Sequence, residues 1–166
     1  MLVDNIFVFP GLEMEPNSVH LNSIVVDDDK LYGVGWGRFT QRRKWKDIVN
    51  RGFIARLEKD KTTILVGGLS LPHTLIRCDA GFALLESYTK KLNTYDMDFN
   101  LTKSIDLDMS FPRGLVRTED GWIVGSSANR MWGTGECGAI HFLDDKGIET
   151  KKINMLYSEV YQIMKI

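Results

Sequence analysis

Four polar residues recur at matching places along the sequence and could together form one site: Asn22, His73, Arg113 and Tyr161. An imidazole can act as a general base or a metal ligand, a guanidinium can stabilise developing negative charge, and a phenol can donate a proton or a hydrogen bond. The sequence therefore predicts His73, Arg113 and Tyr161 as candidate catalytic residues. The alternative is structural, because polar residues at such positions also satisfy backbone groups or hold ordered water.

A wider set of basic, aromatic and polar residues is predicted to bind a ligand around these four. The set is His20, Asn22, Trp36, Arg42, Arg43, Lys44, Glu86, Arg130 and Trp132. Residues 38–51 carry a local charge of +5, which the net charge of −1 conceals. Basic side chains recruit carboxylates or phosphates, and tryptophan faces stack on sugar rings or bases. The alternative is that this basic segment is only a solvated surface loop.

The elements that must position these residues are strands of an internal repeat. Segments 21–25, 72–76 and 112–116 are each followed by an acidic turn and a second apolar strand, which is typical of a β-hairpin. Two more short strands follow in each unit. The later strands are predicted at 31–36, 52–57 and 62–66, at 82–87, 92–96 and 102–107, and at 122–127, 139–143 and 149–153.

Units of this kind are typical of propeller blades. Asn22, His73 and Arg113 hold equivalent positions 51 and 40 residues apart, close to the repeat length of a blade. We predict an all-β fold, a partial β-propeller of about three four-stranded blades plus terminal strands. The predicted organisation is a single domain 1–166 with a leading strand and linker at 1–17, blades at 18–71, 72–109 and 110–155, and a closing strand at 156–166.

In a propeller of this kind, the candidate residues would lie together at one mouth of the central channel. The first strand of each blade lines the central channel, and its start lies on the same face as the loops that join the second and third strands. Three blades are too few for a closed ring and would leave unpaired edges. We therefore predict a homodimer that completes the propeller. The alternative is that the chain is a fragment of a longer protein.

Composition limits the remaining classes of function. With 43% hydrophobic and 26% charged residues the chain is not a disordered sequence, and no apolar run approaches the length of a membrane span. Two cysteines, Cys78 and Cys137, cannot form a disulfide framework, so a cytoplasmic location without a membrane partner is expected. The net charge argues against nucleic acid as a partner. No metal or cofactor is predicted, since Asn22, His73 and Glu86 lack a diagnostic ligand spacing.

Four short segments resemble motifs of an uncharacterised bacterial family of propeller-like proteins. The segments are His20-Leu21-Asn22, Leu71-Pro72-His73, Pro112-Arg113-Gly114-Leu115 and Glu159-Val160-Tyr161-Gln162-Ile163. Members of that family carry His-Leu-Asn-Gly, Pro-His-Ser-Pro, Arg-Gly-Leu and a terminal Glu-Ile-Tyr-Asp-Ile. The resemblance runs from about Val19 to the C-terminus and implies the propeller fold, without an activity. The chain also bears a looser resemblance to the calcium-dependent lactonase and streptogramin-lyase types of propeller, which place polar residues at the axis. This second resemblance is an analogy only.

Three functions follow from these residues. The first is a ligand-binding propeller whose basic, aromatic mouth takes an anionic small molecule, a glycan or a protein segment. The second is a lyase, epimerase or hydrolase acting on an acidic saccharide or lactone-like substrate with His73, Tyr161 and Arg113. The third is a structural module whose open edges recruit a partner strand.

Overall fold

The fold is built from three antiparallel sheets of four strands each. The computed structural model describes residues 19–37, 49–128 and 137–164, and every regular element in those ranges is a β-strand. The strands are β1 His20–Asp27, β2 Lys30–Trp36, β3 Gly52–Leu57, β4 Thr62–Leu69, β5 Pro72–Cys78, β6 Gly81–Glu86, β7 Lys91–Tyr95, β8 Leu101–Asp106, β9 Phe111–Thr118, β10 Gly121–Ser127, β11 Ala139–Leu143 and β12 Glu149–Asn154.

Each sheet is a meander in which consecutive strands pair. The orders are β1-β2-β3-β4, β5-β6-β7-β8 and β9-β10-β11-β12. The first strands of the three sheets lie side by side, β1 next to β5 and β5 next to β9. The structure confirms the predicted all-β fold of three four-stranded units. The strands predicted at 52–57 and 139–143 are correct to the residue, and the largest difference is at β4, which runs on to Leu69.

The hydrophobic core lies between neighbouring sheets. Phe82 and Leu84 of β6 pack toward the first sheet, while Ala83 and Leu85 pack toward the third, and all four are at most 1% exposed. Successive side chains of a strand point to opposite faces, so a sheet covered on both sides needs an uninterrupted apolar run. Burying one such leucine contributes about 1.5–3 kcal/mol. The middle sheet therefore fixes the stacking of the other two.

The segment after β12 occupies the position of a fourth inner strand. The Ser87 hydroxyl donates to the carbonyl of Pro112 at 2.5 Å, and the equivalent Ser127 donates to the carbonyl of Val160 at 3.2 Å. The Val160 N–H in turn donates to the Ser127 hydroxyl at 3.0 Å. Val160 thus matches Pro112, and Tyr161 matches Arg113. Residues 159–164 form no sheet ladder within the described ranges, because no following strand stands beside them there.

In the parts of the chain that the structure covers, no helix has the length and apolar character needed to cross a membrane.

Candidate functional site

A β-bulge at the same place in each first strand presents the candidate residues. In β1 the pairing with β2 shifts between Leu21 and Ser23, and in β9 the pairing with β10 shifts around Arg113. The pairing of β5 with β6 shifts between Pro72 and Leu75. A bulge inserts one unpaired residue and turns its side chain away from the regular alternation. The three sheets therefore present Asn22, His73 and Arg113 from equivalent irregular positions.

His73 is the buried centre of the site, with 7% of its surface exposed. Its Nδ1 lies 3.1 Å from the carbonyl oxygen of Leu71 and 2.5 Å from the Ser87 hydroxyl. Its Nε2 lies 3.3 Å from Nε of Arg113, which can only donate. His73 therefore carries its proton on Nδ1 and accepts a hydrogen bond at Nε2. In this tautomer all the polar atoms of the ring are satisfied.

Burial, and secondly the positive charge of Arg113, lower the pKa of His73 to about 3. His20 contributes in the same direction, while the hydrogen bond to Leu71 acts in the opposite one. The ring is neutral at physiological pH. A base this weak, with its lone pair already used, is arranged to hold Arg113 rather than to take a proton from a substrate. The catalytic roles of His73, Arg113 and Tyr161 stay predictions.

The guanidinium of Arg113 is held between two aromatic rings. Its central carbon lies 5.4 Å from the centroid of Phe111 and 4.2 Å from that of Tyr161. Arginine stacks well on aromatic faces because its charge is delocalised over a planar group. With Nε directed to His73, the two rings and the imidazole fix the orientation of this cation.

Beside them, His20 and Trp36 extend the aromatic surface. The rings of His20 and Trp36 stack at a centroid distance of 4.9 Å, and Trp36 meets His73 edge-on at 5.6 Å. Burial and the charge of Arg113 lower the pKa of His20, while a hydrogen bond between His20 and the Asn22 side chain raises it by a smaller amount. Asn22 also donates from Nδ2 to the Pro72 carbonyl at 2.6 Å, which ties β1 to β5.

These residues surround a groove of about 840 Å³ along the first strands and the closing segment. His20, Asn22, His73, Arg113 and Tyr161 all line it, as sequence analysis predicted for one mouth. Of the described residues, the other charged ones that line it are Arg77 and Arg117, and no aspartate or glutamate from ranges 19–37, 49–128 and 137–164 is among them. The electrostatic character of this groove favours an anion over a cation.

The three groove arginines differ in how their charge is compensated. Nε of Arg77 lies 2.9 Å from the Asp27 carboxylate, and Nη1 of Arg117 lies 2.5 Å from that of Asp145. Within residues 19–37, 49–128 and 137–164, no carboxylate lies within ion-pair distance of Arg113. Arg113 is therefore the uncompensated groove cation of the described chain.

Several other predicted ligand residues lie elsewhere. Trp36 is only 8% exposed, and its ring packs against the rings of His20 and His73. Glu86 does not line the groove, since its carboxylate is buried and accepts hydrogen bonds from the Ser70 amide and Asn93 Nδ2, at 2.5 and 2.6 Å. The physical reason is strand alternation: Ser87, one residue on, is the one that faces His73. Arg42, Arg43, Lys44, Arg130 and Trp132 lie outside the described residues.

Sequence analysis missed two contributors to the site, Phe111 and Ser87. Phe111 could have been found from its place two residues before Arg113, because an aromatic ring so near in the sequence is a candidate to stack on the guanidinium. Ser87 gives no comparable signal. A separate hydrogen-bonded chain runs from buried Ser126, which contacts His141 Nε2 at 2.8 Å, to the exposed Glu149, which contacts His141 Nδ1 at 2.5 Å. His141 is 1% exposed at the interface between the second and third sheets, so this chain is a structural network away from the groove.

The described residues offer no metal centre and no disulfide. No group of three or more His, Cys, Asp or Glu side chains is arranged to hold an ion in the described ranges. Cys78 and Cys137 are both free thiols. Burial is the main cause of a raised pKa for the Cys78 thiol, which makes it less reactive.

Comparisons with known proteins support the fold. No protein-family model matches the sequence, and no curated protein matches it. Among solved structures, the chain is similar to regucalcin from Agrobacterium tumefaciens, a calcium-binding protein, with a TM-score of 0.58 and 16% identity over 80% of this chain and 44% of that one. A luciferin-regenerating enzyme matches with a TM-score of 0.62 and 12% identity over 87% of this chain and 49% of that one.

A protein of unknown function from Bacteroides caccae matches with a TM-score of 0.51 and 11% identity, over 84% of this chain and 48% of that one. The chain thus spans less than half the length of each of these three structures. At such low identity the likeness concerns the fold alone. Together with the three stacked four-stranded sheets, it identifies the chain as having a β-propeller-like fold.

Proposed function

We propose that the groove binds an anionic small molecule or an acidic glycan, with Arg113 as the residue that anchors the negative charge. The observation that carries this proposal is the contrast among the groove arginines. Arg77 and Arg117 are paired with carboxylates, whereas among the residues that the structure describes Arg113 is held by neutral and aromatic groups. A partly buried cation without a counter-charge gains most from an anionic ligand.

The surroundings of Arg113 suit recognition of a carboxylate or phosphate. Because Nε is already used by His73, the two Nη groups are left for a ligand, and the stacked rings keep the plane of the fork fixed. Such preorganisation reduces the ordering cost of binding. Tyr161 is 56% exposed and offers ring surface beside the charge, on which a sugar could pack.

Substitution of Arg113 tests this proposal. We expect Arg113→Gln to weaken binding of glucuronate or inorganic phosphate by tenfold or more, since a charge-assisted hydrogen bond contributes about 1.5–3 kcal/mol. Isothermal titration calorimetry of both probes gives the affinities. The matched control is Arg56→Gln, which removes a cation paired with Glu58 at 3.5 Å, outside the groove-lining residues.

The two probes separate a sugar acid from a simple anion. Tighter binding of glucuronate than of phosphate supports the glycan, and equal binding of both supports a general anion site. Binding must also weaken as the salt concentration rises. Equal affinities of Arg113→Gln and the wild type, or no binding of either probe to the wild type at millimolar concentrations, would contradict the proposal.

Binding has better support than catalysis. An enzyme that uses His73 as its base would need an imidazole that titrates near neutral pH and has a free lone pair. The low pKa of His73 and its hydrogen bond from Arg113 are unfavourable on both counts. The hypothesis that the protein is a lyase, epimerase or hydrolase is therefore the second candidate function.

A further inference from the structure

The groove contains a second ionisable side chain near Arg113, the imidazole of His20. His20 lies opposite Trp36 in the first sheet, and their rings stack at a centroid distance of 4.9 Å. Trp36 meets His73 edge-on at 5.6 Å, and His73 Nε2 lies 3.3 Å from Nε of Arg113. His20 and Arg113 also both line the groove. The four side chains therefore form a continuous row with a permanent cation at one end and an imidazole at the other.

Without a ligand, the surroundings of His20 oppose its protonation. Burial, and secondly the positive charge of Arg113, lower its pKa, and the hydrogen bond with Asn22 offsets only part of this. In the part of the chain that the structure describes, the other charged or titratable groove residues are His73 and Arg77 of β5, Arg113 and Arg117 of β9, and Tyr161 of the closing segment. None of these is a carboxylate that would favour a positive imidazole. His20 is therefore neutral at physiological pH.

An anion on Arg113 would reverse the electrostatic contribution. Its negative charge offsets that of the guanidinium and favours a proton on a nearby imidazole. His73 is not suited to take up this proton, because it is 7% exposed and both of its ring nitrogens already have partners. His20 is only half-buried, so a proton can reach it from water. Of the two groove histidines, His20 is the one whose charge can follow the ligand.

We propose that His20 is a second anion-binding residue of the groove, which takes up a proton from solvent when an anion binds at Arg113. This inference rests on the proposed function, because it requires an anion at that place. The proton adds to a ring nitrogen, and the imidazolium then attracts the ligand together with the guanidinium. The arrangement suits an anion that stays ionised at mildly acidic pH, such as the carboxylate of a sugar acid.

Proton uptake makes the affinity depend on pH. Between the pKa values of His20 in the free and the bound protein, the bound protein holds more protons than the free one. The affinity therefore rises as the pH falls through that range, and it levels off below the pKa of the free protein. A rise of about one unit in the pKa of His20 corresponds to about tenfold tighter binding at low pH than at high pH.

An NMR titration of the histidine rings tests this inference directly. The chain has three histidines, and His141 lies outside the groove lining, so its titration is the internal control. Saturating glucuronate is expected to raise the pKa of His20 by about one unit and to leave His141 unchanged. An unchanged pKa of His20, while the Arg113 Nε–H signal shows that glucuronate is bound, would overturn the inference and leave the proposed function intact. Absence of glucuronate binding at any pH would contradict the proposed function as well.

Two substitutions of His20 separate binding from packing, with calorimetry of glucuronate at about pH 8 and pH 6. Glucuronate is the probe because phosphate groups themselves titrate near pH 6. The wild type is expected to bind about threefold more tightly at pH 6, whereas His20→Gln should match the wild type at pH 8 and gain nothing at pH 6. His20→Arg keeps a cation that stacks on Trp36, so it should bind tightly at both pH values. If both variants bind equally weakly at both pH values, His20 only packs against Trp36 and the proposal is wrong.

Discussion

Replacement of Gly81 by alanine is expected to lower the free energy of unfolding by about 3 kcal/mol or more. Gly81 begins β6 with φ of 147°, a backbone conformation that residues with a side chain rarely adopt. A Cβ there would lie 2.8 Å from the carbonyl carbon of Asp96 and closer still to the carbonyl oxygen of Tyr95. Both contacts are with backbone at the end of the adjacent strand β7 and the residue after it, which cannot move aside without disturbing the sheet.

Chemical denaturation measures this loss, and a second glycine provides the control. Gly67 in β4 has open space where its Cβ would lie, so Gly67→Ala should change stability by no more than about 0.5 kcal/mol. In a chain of this size the Gly81→Ala loss corresponds to a fall in Tm of roughly 6–12 °C. Gly121 has the equivalent conformation in the third sheet, with φ of 145°, and should behave like Gly81. Similar stabilities for Gly81→Ala and Gly67→Ala would refute this account of the hairpin.

The second large effect is a dependence of stability on pH that originates at His73. Its pKa of about 3 in the folded state is far below the ordinary value of 6.5. Between these values the unfolded chain binds one proton more than the folded one, so stability is complete above about pH 6.5 and falls as the pH is lowered. The slope approaches about 1.4 kcal/mol per pH unit.

Denaturation at a series of pH values measures this slope. His73→Gln keeps an acceptor for Arg113 but cannot take up a proton, so its stability should fall less steeply than that of the wild type between about pH 6 and pH 5. Carboxylates such as Asp96 and Asp144, whose pKa values are lowered by hydrogen bonds, contribute at lower pH. His20→Gln isolates the smaller contribution of the other groove histidine, whose pKa is also lowered. Parallel curves for the wild type and His73→Gln would mean that His73 is not buried as a neutral group.

Much of the fold could be predicted from the sequence because the signals were local. The hairpins alternate apolar residues around short acidic turns, and the repeat aligned Asn22, His73 and Arg113 correctly. The placement of Tyr161 was also correct, since the Ser127 bonds to Val160 match those of Ser87 to Pro112. These features depend on spacing along the chain, which a sequence displays directly.

The parts that were missed depend on contacts between distant segments. A β-bulge decides which side chain enters the groove, and its single extra residue leaves no mark in composition or periodicity. Glu86 was assigned to the mouth, but strand alternation directs its side chain away from it, and the adjacent Ser87 is the residue that contacts His73. The neutral state of His73 likewise results from burial between sheets and from Arg113, 40 residues away.

The most direct test of Arg113 as the anion anchor is the NMR signal of its Nε–H group. Arginine Nε–H resonances would be recorded while glucuronate or inorganic phosphate is added, with Arg113 assigned by the loss of its signal in Arg113→Gln. We predict that the Arg113 signal shifts progressively and saturates, while those of the ion-paired Arg77 and Arg117 change little. An Arg113 signal that stays in place while either of the other two shifts would contradict the central claim.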